Sequence, residues 1–258
     1  MIALMKRALL LLLSWVTIAH AADVGISPAR IDVLGRPGET VIATATIVTT
    51  AATPQSITSS ASDWTMSATG DVAFLAAGST AFSAAPWLEL DVDDFVLEPG
   101  GSREARLAVT VPADTGAEGT HHAIVFFTVA PPPSETAGVG VATTTRIGLV
   151  VYVTVAGTEQ RGSELIDIFE SGGETITVVV LNSGNTLMRL GGTIELRDEL
   201  GMVRHRLDVP DVAVLRDSER ELHFALPEGL ESGFYVALAL IEDSRGGLLA
   251  GELPFEVP

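Results

Sequence analysis

The chain has 258 residues, 47% of them hydrophobic and 19% charged, with a formal net charge of −18 and no cysteine. So acidic a surface repels nucleic acid and anionic lipid, and it leaves neutral, basic or calcium-dependent partners. Without disulfides, each domain must be held by apolar burial alone, for which a chain this long and this hydrophobic suffices.

The N-terminus comes first. Lys6 and Arg7 precede an apolar run from Ala8 to Ile18, and Ala19-His20-Ala21 supplies a small-x-small cleavage site. This is the pattern of a secretory signal peptide, residues 1–21, cut before Ala22. The run is shorter than the roughly 20 residues that a bilayer span needs, so no stable membrane insertion is expected after cleavage. Removing the segment leaves 13 arginines and no lysine against 33 acidic residues.

Strand patterns follow almost without interruption. Ile42–Val48, Arg106–Val111, Ile124–Val129, Thr175–Leu181, Thr193–Leu196, Glu221–Leu226 and Phe234–Ile241 are rich in β-branched residues. Ile147, Leu149, Val151, Val153 and Val155 form an unbroken period-2 row. Short strands bounded by Gly, Pro, Asp and Ser predict an all-β sandwich architecture. Ile166–Phe169 and Ala237–Leu240 resemble helix in composition but are too short to be one.

An internal echo sets the domain count. Ile31-Asp32-Val33 precedes Gly38-Glu39-Thr40-Val41, and Ile166-Asp167-Ile168 precedes Gly173-Glu174-Thr175-Ile176 at the same spacing. Later, Ser102-Arg103-Glu104, Pro112 and Gly119 are answered by Ser218-Glu219-Arg220, Pro227 and Gly233. The reading is one topology used twice: two tandem immunoglobulin-like domains, residues 22–157 and 163–258, with a polar glycine-flanked link at Gly157–Gly162. Ser67–Leu90 makes the first half longer and reads as an inserted loop or hairpin. Asn182-Ser183-Gly184-Asn185 reads as a hairpin turn between Val180 and Leu187.

No residue pattern points to catalysis or to a cofactor. His121 and His122 are neighbours on a strand and face opposite sides, so they cannot share one metal. Asp91, Asp93 and Asp94 lack the glycine-bearing loop of a calcium site and read as a solvated turn. No nucleophile elbow, phosphate loop or zinc spacing occurs. Trp64 and Trp87 read as sandwich-core residues.

Three segments carry a resemblance. Gly25-Ile26-Ser27-Pro28-Ala29-Arg30-Ile31 is similar to the opening strand of the PapD-like periplasmic pilus-assembly chaperones. Phe95-Val96-Leu97-Glu98-Pro99-Gly100 is similar to their Leu-x-Pro-Gly turn. Thr145–Tyr152 resembles the long last strand of their first domain. Asp63-Trp64 and Ala85-Pro86-Trp87-Leu88 resemble a more distant chaperone-like group within that fold.

The resemblance implies a periplasmic or otherwise extracytoplasmic, non-enzymatic chaperone. Its partners would be exported pilin-like or surface-fibre subunits, bound by strand donation. It implies donor residues Val139, Val141, Thr143 and Thr145, and a subunit-carboxylate anchor of Arg30 with Arg146 as the nearest second basic residue. Leu149 stands where that family has lysine, and the donor residues are smaller than the family's. The competing expectation is a structural or adhesive cell-envelope module. A chaperone requires a partly unpaired strand beside a basic interdomain cleft; a module would close both sheets.

Overall fold

A computed structural model describes residues 23–113, 116–130 and 144–257. The signal segment, Val139, Val141 and Thr143 lie outside the described residues. In chain order, the first half forms β1 (Val24–Ser27), β2 (Arg30–Gly35), β3 (Thr40–Thr49), β4 (Gln55–Met66), β5 (Val72–Leu75), β6 (Leu88–Leu90), β7 (Asp94–Leu97), β8 (Ser102–Thr110), β9 (Gly119–Val129) and β10 (Thr145–Val155). The second half forms β11 (Glu164–Ser171), β12 (Thr175–Asn182), β13 (Met188–Asp198), β14 (Val203–Val214), β15 (Ser218–Ala225), β16 (Gly233–Asp243) and β17 (Leu248–Val257). The only helix among the described residues is a 3₁₀ turn at Ala85–Trp87.

The first sandwich packs the sheet β1-β3-β8-β6 against β2-β10-β9-β4-β5, with β7 also on β4. Its opening segment belongs to both sheets. β1 runs antiparallel to β3, and β2 then runs parallel to β10. Pro28, which has no N–H to give a ladder, lies in the crossing between them. Inward residues alternate along the strands, as the period-2 row requires. Ile47, Ile57, Leu107, Val125, Phe127, Val151 and Val153 are almost wholly enclosed. The second sandwich packs β11-β12-β15 against β14-β13-β16-β17 around Ile176, Val178, Leu190, Ile194, Leu196 and Ile241.

β9 is apolar on both faces, and the fold explains why. Ala123, Val125 and Phe127 look into the first core. Ile124 and Phe126 look outward, where Trp64, Tyr152 and Leu215 cover them. Leu215 comes from the second sandwich, so this outer cluster is the apolar part of the joint between the halves.

Two expectations change. The two Gly-Glu-Thr echoes are both strand-joining turns, but they join different things: β11 and β12 pair with each other, whereas β2 and β3 lie in opposite sheets. The difference arises because the first sandwich splits its opening strand, so that only β1 pairs β3. Asn182–Asn185 is not a hairpin turn, since β12 and β13 belong to different sheets. It is a crossover, and Asn185 is spent on the joint: its backbone carbonyl accepts from Thr120 N at 2.8 Å and its side chain bonds Gln160 N and Thr158 O. Ile166–Phe169 and Ala237–Leu240, helix-like in composition, lie within β11 and β16.

Candidate functional site

Arg30 reaches its position through the register of β2. Arg30 and Asp32 stand opposite Val150 and Tyr152 of β10. Residues two apart share a face of a strand, so Arg30, Asp32 and Tyr152 point outward together while the intervening Ile31 and Val151 are buried. The second sandwich closes over this face. Arg189 on β13, Leu187 before it, and Arg245 in the β16–β17 turn complete a cleft of about 330 Å³, with Arg161 from the link on its rim. Four of the 13 arginines that follow the signal segment therefore converge on one cleft.

Each cation there has a different state. Arg30 Nε contacts Asp32 Oδ2 at 2.8 Å, with both side chains about half exposed. An exposed single-contact pair of this kind contributes roughly 0.2–1 kcal/mol. Arg189 is held more firmly: Nε donates to Asp211 Oδ1 at 2.7 Å and Nη2 to Asp211 Oδ2 at 2.5 Å. That fork holds the Arg189 pKa above and the Asp211 pKa below its ordinary value. Arg245 is mostly buried, and its guanidinium donates to Thr186 Oγ1 at 2.6 Å. Arg161 is exposed and has no hydrogen bond or ion pair among the described residues. The cleft lining thus carries four arginines against the carboxylates Asp32 and Glu159, a locally positive patch in a chain that is otherwise strongly acidic. Burial pushes the Tyr152 phenol up to about 12, so it is a neutral hydroxyl on the cleft wall.

The edge of β10 lies next to the cleft. β9 pairs it along its whole length, Thr145 opposite Val129 through Val155 opposite Gly119. β2 pairs its other side only from Val150 to Val155. Among the described residues, Thr145–Leu149 therefore has one unpaired main-chain edge. Thr145, Ile147 and Leu149 share the inward face, and Leu149 is 2% exposed. Leu149 therefore belongs to the first core and supplies nothing to the cleft.

Arg146 lies on the outer face of β10. Its guanidinium sits 3.8 Å from the ring centroid of Phe126, which Phe74 also touches edge-on. It does not line the cleft: it lies four positions before Val150, about 13 Å along a strand. Arg161, Arg189 and Arg245 escape sequence reasoning, because three distant segments supply them and no local pattern marks them.

The remaining candidates have structural partners. His121 faces Phe82 and Trp87, while His122 faces Trp64 and Tyr152. Asp91 Oδ1 accepts from Arg106 N at 2.9 Å. Among the described residues no group of three His, Asp or Glu side chains is placed to hold a metal ion, and no helix is long and apolar enough to cross a membrane.

No family model matches the sequence, and no curated protein matches it. Solved structures do match in shape. The YadV chaperone aligns over 90% of this chain and 100% of its own, with a TM-score of 0.50 at 11% identity. A chaperone–tip adhesin complex of CFA/I fimbriae biogenesis aligns over 91% and 98%, with a TM-score of 0.49 at 12% identity. A complex of Salmonella enterica SafA pilin with the SafB chaperone aligns over 93% and 98%, with a TM-score of 0.49 at 13% identity. At such identity the likeness to YadV speaks to architecture: the chain has the two-domain, all-β sandwich fold of the PapD-like chaperones.

Proposed function

We propose that this protein is an extracytoplasmic chaperone that holds exported, pilin-like or surface-fibre subunits by donating β10 to them. The observation that carries the reading is the half-paired state of β10. An edge at Thr145–Leu149 that is unpaired among the described residues, beside a cleft with a half-exposed arginine, is what strand addition to an incomplete sandwich requires. Main-chain hydrogen bonds would give affinity. Val139, Val141, Thr143 and Thr145, continuing the row of Ile147 and Leu149, would fill the subunit's groove with alternate side chains.

In this reading the subunit's C-terminal carboxylate binds Arg30. Arg189 is a second cation of the same cleft, contributed by the other sandwich, and Arg146 is a basic contact farther along the donated strand. The acidic surface suits a client with basic or neutral exposed loops. The reading assigns no catalysis and no cofactor, and it places the protein in the periplasm or an equivalent compartment.

The test is a pull-down of the mature protein from envelope extract, with wild type and Arg30→Ala compared by mass spectrometry. The expected result is a small β-rich subunit recovered in near-equal amount and lost with Arg30→Ala. Recovery of no such subunit, or of one indifferent to Arg30, contradicts the reading and favours a structural or adhesive envelope module.

A further inference from the structure

We propose that Asp32 is a built-in competitor for the anchor arginine: it occupies Arg30 while the cleft is empty, and an incoming C-terminal carboxylate must displace it. The inference rests on the carboxylate-anchor reading of Arg30 and specifies how that anchor is regulated.

The geometry singles out this pair. Arg30 and Asp32 are two apart on β2, so the strand itself holds them side by side on the cleft face whatever the cleft contains. Its shortest approach is Nε to Oδ2 at 2.8 Å, and the pair does not form the two-nitrogen hydrogen-bonded fork that holds Arg189 to Asp211. A guanidinium that is half exposed and not forked onto its partner can still offer donors to a second carboxylate. Once both are present, Asp32 and the newcomer repel each other, and the tethered one that also gains strand hydrogen bonds wins.

The neighbouring pair shows the contrast. Arg189 is forked onto Asp211 through two nitrogens, and its side chain is only 24% exposed. It can lend field to the cleft but is not readily released. Arg30 is therefore the exchangeable cation and Asp32 the group that sets its exchange.

A selectivity follows. A small free anion gains nothing from β10, so it faces the full competition of Asp32. A peptide terminus that pairs with Thr145–Leu149 reaches Arg30 at high effective concentration and overcomes it. Asp32 thus raises the discrimination between a strand terminus and ordinary soluble anions, and it keeps the bound state releasable.

The experiment uses the mature chain and a fluorescein-labelled nine-residue peptide of alternating valine and threonine. The peptide is made once with a free C-terminal carboxylate and once as the C-terminal amide. Binding is read by anisotropy for wild type, Asp32→Asn, Arg30→Ala and the double variant. Wild type is expected to prefer the carboxylate. Asp32→Asn is expected to tighten the carboxylate peptide by about fivefold, the upper range for an exposed pair, without changing the amide. That gain is expected to vanish when Arg30 is also alanine. If neither wild type nor Asp32→Asn distinguishes carboxylate from amide, the anchor reading itself fails. If wild type distinguishes them and Asp32→Asn binds the carboxylate no better, the anchor stands and the competitor role is overturned. A gain that persists in the double variant also overturns it, because it then reflects general loss of negative charge. Both side chains are exposed, and unchanged circular dichroism of each variant verifies that the comparison is between folded proteins.

Discussion

His121 and His122 are adjacent in sequence but face opposite sides of β9, and neither is free to titrate as in water. Burial pushes the His121 imidazole down from 6.5 to about 4, and the Arg216 charge adds to the effect. Burial also lowers His122. The folded state therefore binds fewer protons than the unfolded chain between about pH 6.5 and 4. Stability from this source is complete above 6.5 and lost as pH falls toward 4. For His121 the full loss is on the order of 3 kcal/mol. His121→Phe keeps an aromatic ring against Trp87 and Phe82 but cannot titrate. Its urea midpoint is predicted to fall less than that of wild type between pH 7 and pH 4.5; equal falls would contradict the assignment. Asp63 behaves in the opposite region. Burial works to raise its pKa, but hydrogen bonds from Ser83 and from Thr80 outweigh it and hold the carboxyl below 3.8. Its contribution is present above that value and is lost only in stronger acid. In the core, Phe127 is completely enclosed, and Phe127→Ala is predicted to cost about 3–5 kcal/mol in urea unfolding.

At the scale of elements, the hairpin of β4 and β5 does more than lengthen the first sandwich. Its turn crosses to the second one, where Ala68 O accepts the backbone N–H of Glu221 at 2.8 Å and Arg220 Nη1 at 3.4 Å. Gly70 sits under that guanidinium at a φ of +95°, and a Cβ there would lie 2.0 Å from Arg220 Nη1. Gly70→Ala is predicted to destabilise by roughly 1 kcal/mol or more through the left-handed backbone alone. It should also speed amide exchange at Glu221, where the bridge is anchored. Unchanged exchange there would show that the turn is not holding the second sandwich. Strands were legible from sequence in proportion to their apolar face. β10 and β12 announce themselves through unbroken Val and Ile rows. β4 does not: Gln55–Met66 is mostly serine, threonine and alanine, because one side is exposed and the other is partly covered by small contacts. β14 was hidden by Arg204, His205 and Arg206, two of which pair with acids on β13. The Asn182–Asn185 turn misled because glycine and asparagine serve a hairpin and a sheet crossover equally well; pairing partners decide between them, and those are distant in sequence.

For the whole molecule, the two sandwiches meet through an apolar cluster around Trp64, Phe126, Tyr152 and Leu215, flanked by backbone bonds at Thr120 and Glu221. Such a joint fixes Arg30 of one sandwich against Arg189 of the other. Arg30 was legible through its neighbours Ser27 and Pro28. The arginines that face it were not, because only the folded joint brings positions 161, 189 and 245 to it. In the proposed function, the Thr145–Leu149 edge of β10 is kept open for a client strand. Amide hydrogen exchange on the mature protein, alone and with the subunit it retains from envelope extract, addresses this most directly. Amides on the unpaired side of Thr145–Leu149 are expected to exchange fast in the free protein and to become protected in the complex, while Val150–Val155 is slow in both. Protection of Thr145–Leu149 already present in the free protein, or unchanged exchange on binding, would contradict strand donation.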